Sequence, residues 1–104
     1  MAATASRIKL DLNSPDFHAV FFRLERAELN QIVAALRRLR ELDWNGLYRH
    51  PGFRWEAIEH LKAPNGGKVY SLRVSQKVRA VAYRDGDFLR VVSLHPDHDS
   101  AYER

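Results

Sequence analysis

Two alternating runs meeting at Asp85-Gly86 constrain the fold of this chain more than any other feature. Residues 78–84 and 87–94 alternate apolar with polar or charged side chains, the period-two pattern of half-buried strands. Asp-Gly accepts positive φ easily, so the two runs read as an antiparallel hairpin with a two-residue turn. That turn sets Arg84 opposite Asp87, Tyr83 opposite Phe88, Val81 opposite Arg90 and Arg79 opposite Val92. One face then carries Val78, Ala80, Ala82, Leu89 and Val91, small and apolar, suited to packing under helices. The other carries Arg79, Val81, Tyr83, Phe88, Arg90 and Val92.

A third strand precedes them at residues 69–74, and its register depends on the Ser75-Gln76-Lys77 turn. A two-residue turn would place Arg73 on the apolar face beside Val78. A turn of about three residues instead places Tyr70, Leu72 and Val74 there. Burying an unpaired arginine is expensive, which selects the second register and brings Arg73 opposite Arg79. The face away from the helices thus gathers Ser71, Arg73, Arg79, Tyr83 and Arg90.

The N-terminal half supplies the helices. Residues 8–12 alternate as a short strand, and Ser14-Pro15-Asp16 is a helix start, with Ser14 as N-cap and Pro15 in the first turn. Phe17, Val20, Phe21 and Leu24 share one helical face. A second stripe, Leu29, Ile32, Val33, Leu36 and Leu39, is out of phase with the first by roughly a third of a turn. One straight helix cannot bury both, which implies a helical hairpin or a kink near residues 24–27. Residues 43–52, with two glycines and a proline, read as a loop pinned by Trp44 and Tyr48. Residues 53–61 suit a strand or a short helix. The alternation of Phe53, Trp55 and Ala57 favours a strand, although Ile58 breaks it. Pro64-Asn-Gly-Gly67 is a turn. Helices followed by an antiparallel meander make the fold class α+β, and 104 residues fit a single domain spanning 1–104.

Composition narrows the function. The chain has no cysteine, which excludes disulfides and thiolate metal sites. Its apolar runs, such as residues 19–22 and 32–36, are too short to span a bilayer, and its N-terminus lacks a signal-peptide pattern, so a cytoplasmic protein without membrane partners is expected. Lys and Arg number 17 against 13 Asp and Glu, a net charge of +4. That balance favours a polyanion or an acidic protein as partner. Arginine's planar fork suits phosphate oxygens better than a lysine point charge does.

Like charges facing each other across a sheet repel, so the Arg73–Arg79 pair calls for an anion. A phosphate backbone would serve, gripped bidentately. Glu56, Glu59 or Asp87 would also serve, in which case the arginines are structural. The C-terminal stretch from Leu94 to Tyr102 brings His95, Asp97, His98, Asp99 and a phenol to one sheet edge. Histidine there can move protons near neutral pH. A metal held by His95, Asp97, His98 and Asp99 is disfavoured, because no helix fixes their spacing, and no metal or cofactor is expected. His18, His50 and His60 receive no role. Trp44 and Trp55 read as core, and Tyr83 as a stacking platform if its face is open. Gly-rich phosphate loops, nucleophile elbows and paired-carboxylate signatures do not occur.

The run Tyr70-Ser-Leu-Arg-Val-Ser-Gln-Lys-Val-Arg-Ala-Val-Ala-Tyr83, set after a strand and a helical hairpin and before a hairpin and a final His98-Asp99-x-x-Tyr102, resembles the RelE-like toxins of the RelE/ParE superfamily. The resemblance is good over residues 55–102; the helical part agrees in layout. It implies a twisted, mostly antiparallel sheet with an N-terminal strand and a helical hairpin packed on it. It implies a toxin of a type II toxin–antitoxin system that cleaves mRNA, often on the ribosome and without a metal, and a cognate antitoxin that blocks it. Arg79 matches the family's strand arginine at the scissile phosphate, Arg73 a basic residue on the neighbouring strand, and Tyr102 a C-terminal tyrosine used in proton transfer. His98 falls near positions where the family has arginine or histidine. The family's lysine-rich strand is replaced here by Val69, Tyr70 and Ser71, which shifts proton transfer towards His95 or His98. ParE-type relatives share the fold but poison DNA gyrase. The histidine–tyrosine ending favours RNA cleavage over that alternative and over an inactive RNA- or antitoxin-binding module.

Overall fold

The computed structural model describes residues 6–96. They form β1 (Lys9–Asp11), α1 (Pro15–Phe21), α2 (Arg26–Arg40), α3 (Trp44–Arg49), β2 (Glu56–Lys62), β3 (Lys68–Arg73), β4 (Arg79–Asp85) and β5 (Phe88–His95). The strands make one five-stranded sheet in the order β1-β5-β4-β3-β2. β1 runs parallel to β5 and the other neighbours are antiparallel. The fold is α+β, as the sequence pattern implies.

Pro15 opens α1 at its first position, where a missing N–H is harmless. Ser14 occupies the N-cap, but its hydroxyl donates to the Val92 carbonyl on β5 at 2.7 Å instead of capping the helix. The chain breaks between Phe21 and Arg26, so the two apolar stripes are buried separately. In α2 the buried positions are Ile32, Ala35, Leu36 and Leu39, spaced i, i+3, i+4, i+7. Val33, expected in the stripe, is 37% exposed, because it sits one residue off that face.

Residues 44–49, expected as loop, are helical. The Asp43 carboxylate accepts from the Gly46 N–H at 2.7 Å, an N-cap strong enough to start a short helix despite the glycine. Trp44 and Leu47 turn inward, one helical turn apart. Arg84 lays its guanidinium 4.5 Å from the Trp44 ring centre and donates to the Tyr48 hydroxyl at 2.9 Å, tying α3 to β4.

All three helices bury their apolar faces in one core with Leu72, Val74, Val78, Ala80, Ala82, Leu89, Val91 and Leu94. Apart from Leu94, these are residues the alternation assigns to the helix side; Tyr70, also assigned there, is half-buried and stacks on Trp55 instead. A smaller cluster, Ile58, Ala63, Val69 and Val81, lies apart from that core. Ile58 belongs to it because it follows Ala57, which pairs with Tyr70, and so alternates onto the face that carries Val69 and Val81.

The β4–β5 hairpin turns at Gly86-Asp87 instead of Asp85-Gly86. Asp85 pairs with Phe88, Arg84 with Leu89 and Tyr83 with Arg90. Gly86 takes the left-handed conformation, φ +62°, that the turn needs. Each partner is displaced by two residues from the expected register, and an even displacement leaves every side chain on its expected face. The register then slips once more: Ala82 pairs with Val91 but Val81 pairs with Ser93, so Val92 is an extra residue on β5.

Gly86 has nothing within 4 Å of a Cβ built on it, so a side chain there meets only the backbone strain of positive φ. Gly86→Ala should lose about 1 kcal/mol of unfolding free energy, with an unchanged denaturant slope in urea titrations. A loss near zero would mean that the turn relaxes to another type.

Candidate functional site

Strand pairing places the basic side chains. Arg73 on β3 pairs with Arg79 on β4, and Arg79 pairs in turn with His95 on β5. The Arg73–Arg79 pairing is the one selected by the three-residue turn. The His95 pairing is not: a turn at Asp85-Gly86 puts Val92 there, and the observed turn without a bulge would put Leu94 there. With Val91 and Leu94 both in the helix-side core, the extra residue at Val92 puts His95 on the open face. Three basic residues thus lie abreast on adjacent strands, and the Ser93 hydroxyl sits 2.9 Å from His95 Nε2.

A fourth basic residue joins them from outside the sheet. Phe53 is buried, and its carbonyl accepts from the Arg73 N–H at 2.7 Å. This fixes the next residue, Arg54, beside Arg73, with a positive φ of 50° that non-glycine residues rarely adopt. Arg54, Arg73, Gln76 and Arg79 line a cavity of about 290 Å³. The sequence pattern places Arg54 opposite the Phe53–Trp55 face. Nothing in it joins that residue to Arg73, because the link is a backbone hydrogen bond between β3 and a segment far back along the chain.

Among the described residues, no carboxylate compensates the charge in this cavity. The ion pairs among the described residues both belong to Arg90, so neither Glu56, Glu59 nor Asp87 neutralises Arg73 or Arg79. Arg79 Nη1 is buried and has no hydrogen-bond partner among the described residues. A desolvated donor of this kind is costly unless a ligand supplies the acceptor. An anion with several oxygens fits the arrangement.

Three expected interface residues are engaged elsewhere. Arg90 donates to Asp11 at 2.7 Å and to Asp85 at 2.8 Å, so it joins β1 to the hairpin and is not a free phosphate contact. Ser71 is fully buried and cannot touch a macromolecule. Tyr83 packs, half-buried, on the Ile58–Val81 cluster. Four residues along β4 from Arg79, it stands about 13 Å away. His98 and Tyr102, together with Asp97 and Asp99, lie outside the described residues. Among those described, no group of three or more His, Asp or Glu is placed to hold a metal, and no helix is long and apolar enough to cross a membrane.

No protein-family model matches the sequence, and no curated protein does. Solved structures match in fold. The structure of an archaeal RelE–RelB complex from Pyrococcus horikoshii OT3 aligns with a TM-score of 0.57 at 14% identity, covering 89% of this chain and 96% of that one. A copper-bound mutant toxin from Helicobacter pylori aligns at 19% identity and a TM-score of 0.45, covering 91% of this chain and 97% of that one. The first establishes that this chain has the RelE-like fold.

The Arg90 bridge generates a pH dependence. The hydrogen bond from Arg90, aided by the Asn13 N–H, holds the Asp11 carboxyl below its ordinary value of 3.8. A carboxylate whose pKa is lowered on folding stabilises the fold above its unfolded value and loses that contribution as pH falls through the folded one. Asp11→Asn should therefore lower the melting temperature at neutral pH, and the gap to the unmodified protein should close below about pH 3.8. A gap that stays constant with pH would assign the effect to packing.

Proposed function

From the RelE-like fold and the arginine-lined cavity on its open face, we propose that this protein is the toxin of a type II toxin–antitoxin system and cleaves mRNA without a metal. The observation that carries this reading is the buried Arg79 Nη1, without a hydrogen-bond partner among the described residues, in a cavity shared with Arg73 and Arg54. Guanidinium groups without carboxylate partners offer forked donors to phosphate oxygens, which is what a scissile phosphodiester requires.

The reaction is attack of a ribose 2′-oxygen on the adjacent phosphorus. The P–O5′ bond breaks, leaving a 2′,3′-cyclic phosphate and a 5′-hydroxyl. A base takes the 2′-hydroxyl proton and an acid protonates the leaving 5′-oxygen. Arg79, Arg73 and Arg54 stabilise the charge gathering on the non-bridging oxygens. His95, across the strand pair from Arg79, is the proton carrier among the described residues, with the Ser93 hydroxyl orienting its ring. His98 and Tyr102 remain candidates for the second proton transfer. A cognate antitoxin is the expected protein partner, and mRNA, on or off the ribosome, is the substrate. Phe22, 76% exposed beside α1, is one apolar point on the helix layer for the antitoxin to cover.

Primer extension on a defined mRNA in a purified translation reaction, with and without ribosomes, tests the reading. Arg79→Ala should reduce new 5′ ends by about 10²–10³-fold, and His95→Ala by about 10²-fold, in proteins that still fold. Ribosome dependence of the cuts defines the substrate. Intact mRNA with folded, partner-free wild-type protein would move the function to gyrase poisoning or to binding alone.

A further inference from the structure

The arginine cavity does not end at Gln76. That side chain, on the β3–β4 turn, also lines a second, larger cavity of about 610 Å³ with Lys77 and, from the first turns of α2, Ala27, Glu28 and Gln31. The two cavities therefore share one lining residue, on the turn between the cationic end of the sheet and the start of α2. The chemistry differs between them. The first cavity carries guanidinium groups for an anion, and the second carries a carboxylate, amides and an ammonium.

Glu28 is the unusual member. A glutamate in the first turn of a helix is ordinary, since it complements the helix dipole. Here, however, its Oε2 is shielded from solvent and accepts no hydrogen bond among the described residues. Lys77 lines the same cavity but makes no ion pair with it. An ionised carboxylate accepts only, so this oxygen needs a donor from a ligand.

We propose that this cavity is a base-recognition subsite that reads guanine in the single-stranded RNA whose phosphate occupies the arginine cavity; the inference rests on the RNA-cleaving function proposed above. Single-stranded RNA is read by splaying bases out and bonding their Watson–Crick edges. Guanine presents two adjacent donors on that edge, N1–H and the N2 amino group, which match the two oxygens of one carboxylate. Adenine, cytosine and uracil each present a single donor position there. Gln31, Gln76 and Lys77 supply donors for the guanine O6, and the amides tolerate either polarity. Glu28 is thus a specificity-determining residue, outside the groups that act on the phosphate.

Short 2′-deoxy oligouridine strands with one guanine, adenine or cytosine at successive positions provide the test, because they bind without being cut. Fluorescence anisotropy should show about tenfold tighter binding for guanine at one position. Glu28→Gln, which keeps the shape but removes one acceptor, should bring the four bases to within about twofold while leaving affinity for plain oligouridine unchanged. Arg79→Ala should instead weaken all strands alike. Binding of the wild type without base preference, or a guanine preference that survives in Glu28→Gln, would overturn the subsite and leave the proposed cleavage standing. A guanine preference that depends on Glu28, in a protein that leaves unmodified RNA intact, would uphold the subsite and sink the cleavage. Failure to bind any strand would overturn the subsite, while cleavage is judged separately in the translation reaction.

Discussion

The extra residue that β5 carries at Val92 sets the side-chain direction of the rest of that strand, and with it the composition of the open face. Strand residues alternate strictly between faces, so an insertion of one reverses the order from that point. Val91 and Leu94 both reach the helix-side core only because Val92 and Ser93 intervene as a bulged pair. His95 is thereby turned out, opposite Arg79. The Ser14 hydroxyl, released from capping α1, holds the Val92 carbonyl and so secures the bulge from the start of the helix. One hydrogen bond between a helix N-cap and an irregular strand residue thus ties the helix layer to the geometry of the basic row.

The arginines of this sheet divide by their partners. Arg90 has two carboxylates and serves as a clamp between the parallel strand β1 and the hairpin. Arg73, Arg79 and Arg54 have none among the described residues, although they crowd one small cavity. Crowded like charges raise the energy of the unliganded fold, and a domain of this size has little stability to spare. Such a cluster is understandable as a preorganised anion site: the Arg79 Nη1 donor is already desolvated beside the other two guanidinium groups, so less reorganisation is needed on binding. The same argument, with the sign reversed, applies to the shielded Glu28 oxygen in the neighbouring cavity that shares Gln76.

Much of the architecture is legible from local rules. Proline at the start of α1, two helical stripes out of phase, alternation in the last strands as far as Val91 and the cost of burying Arg73 together lead to the helical break, most of the sheet faces and the Arg73–Arg79 pairing. The misreadings share a physical cause. Residues 44–49 read as a loop because two glycines and a proline outweigh, on propensity alone, a cap formed by Asp43 with the Gly46 N–H. The hairpin register differs by two residues because Gly86 can serve either position of a two-residue turn. Arg90 looks free in sequence because its partners, Asp11 and Asp85, are brought to it by a parallel pairing across most of the chain's length and by the turn itself.

The period of most elements and the faces of the strand residues up to Val91 follow from the order of residues, through alternation, helical spacing and the penalty for unpaired buried charge. Which polar groups find partners was settled by the assembled fold. Whether Arg90 is clamped, whether Arg54 joins Arg73, whether His95 faces Arg79 and whether Ser71 is sealed away all depend on contacts between residues distant in the chain. Hydrogen bonds and ion pairs act over a few ångströms, and only the folded chain sets those distances.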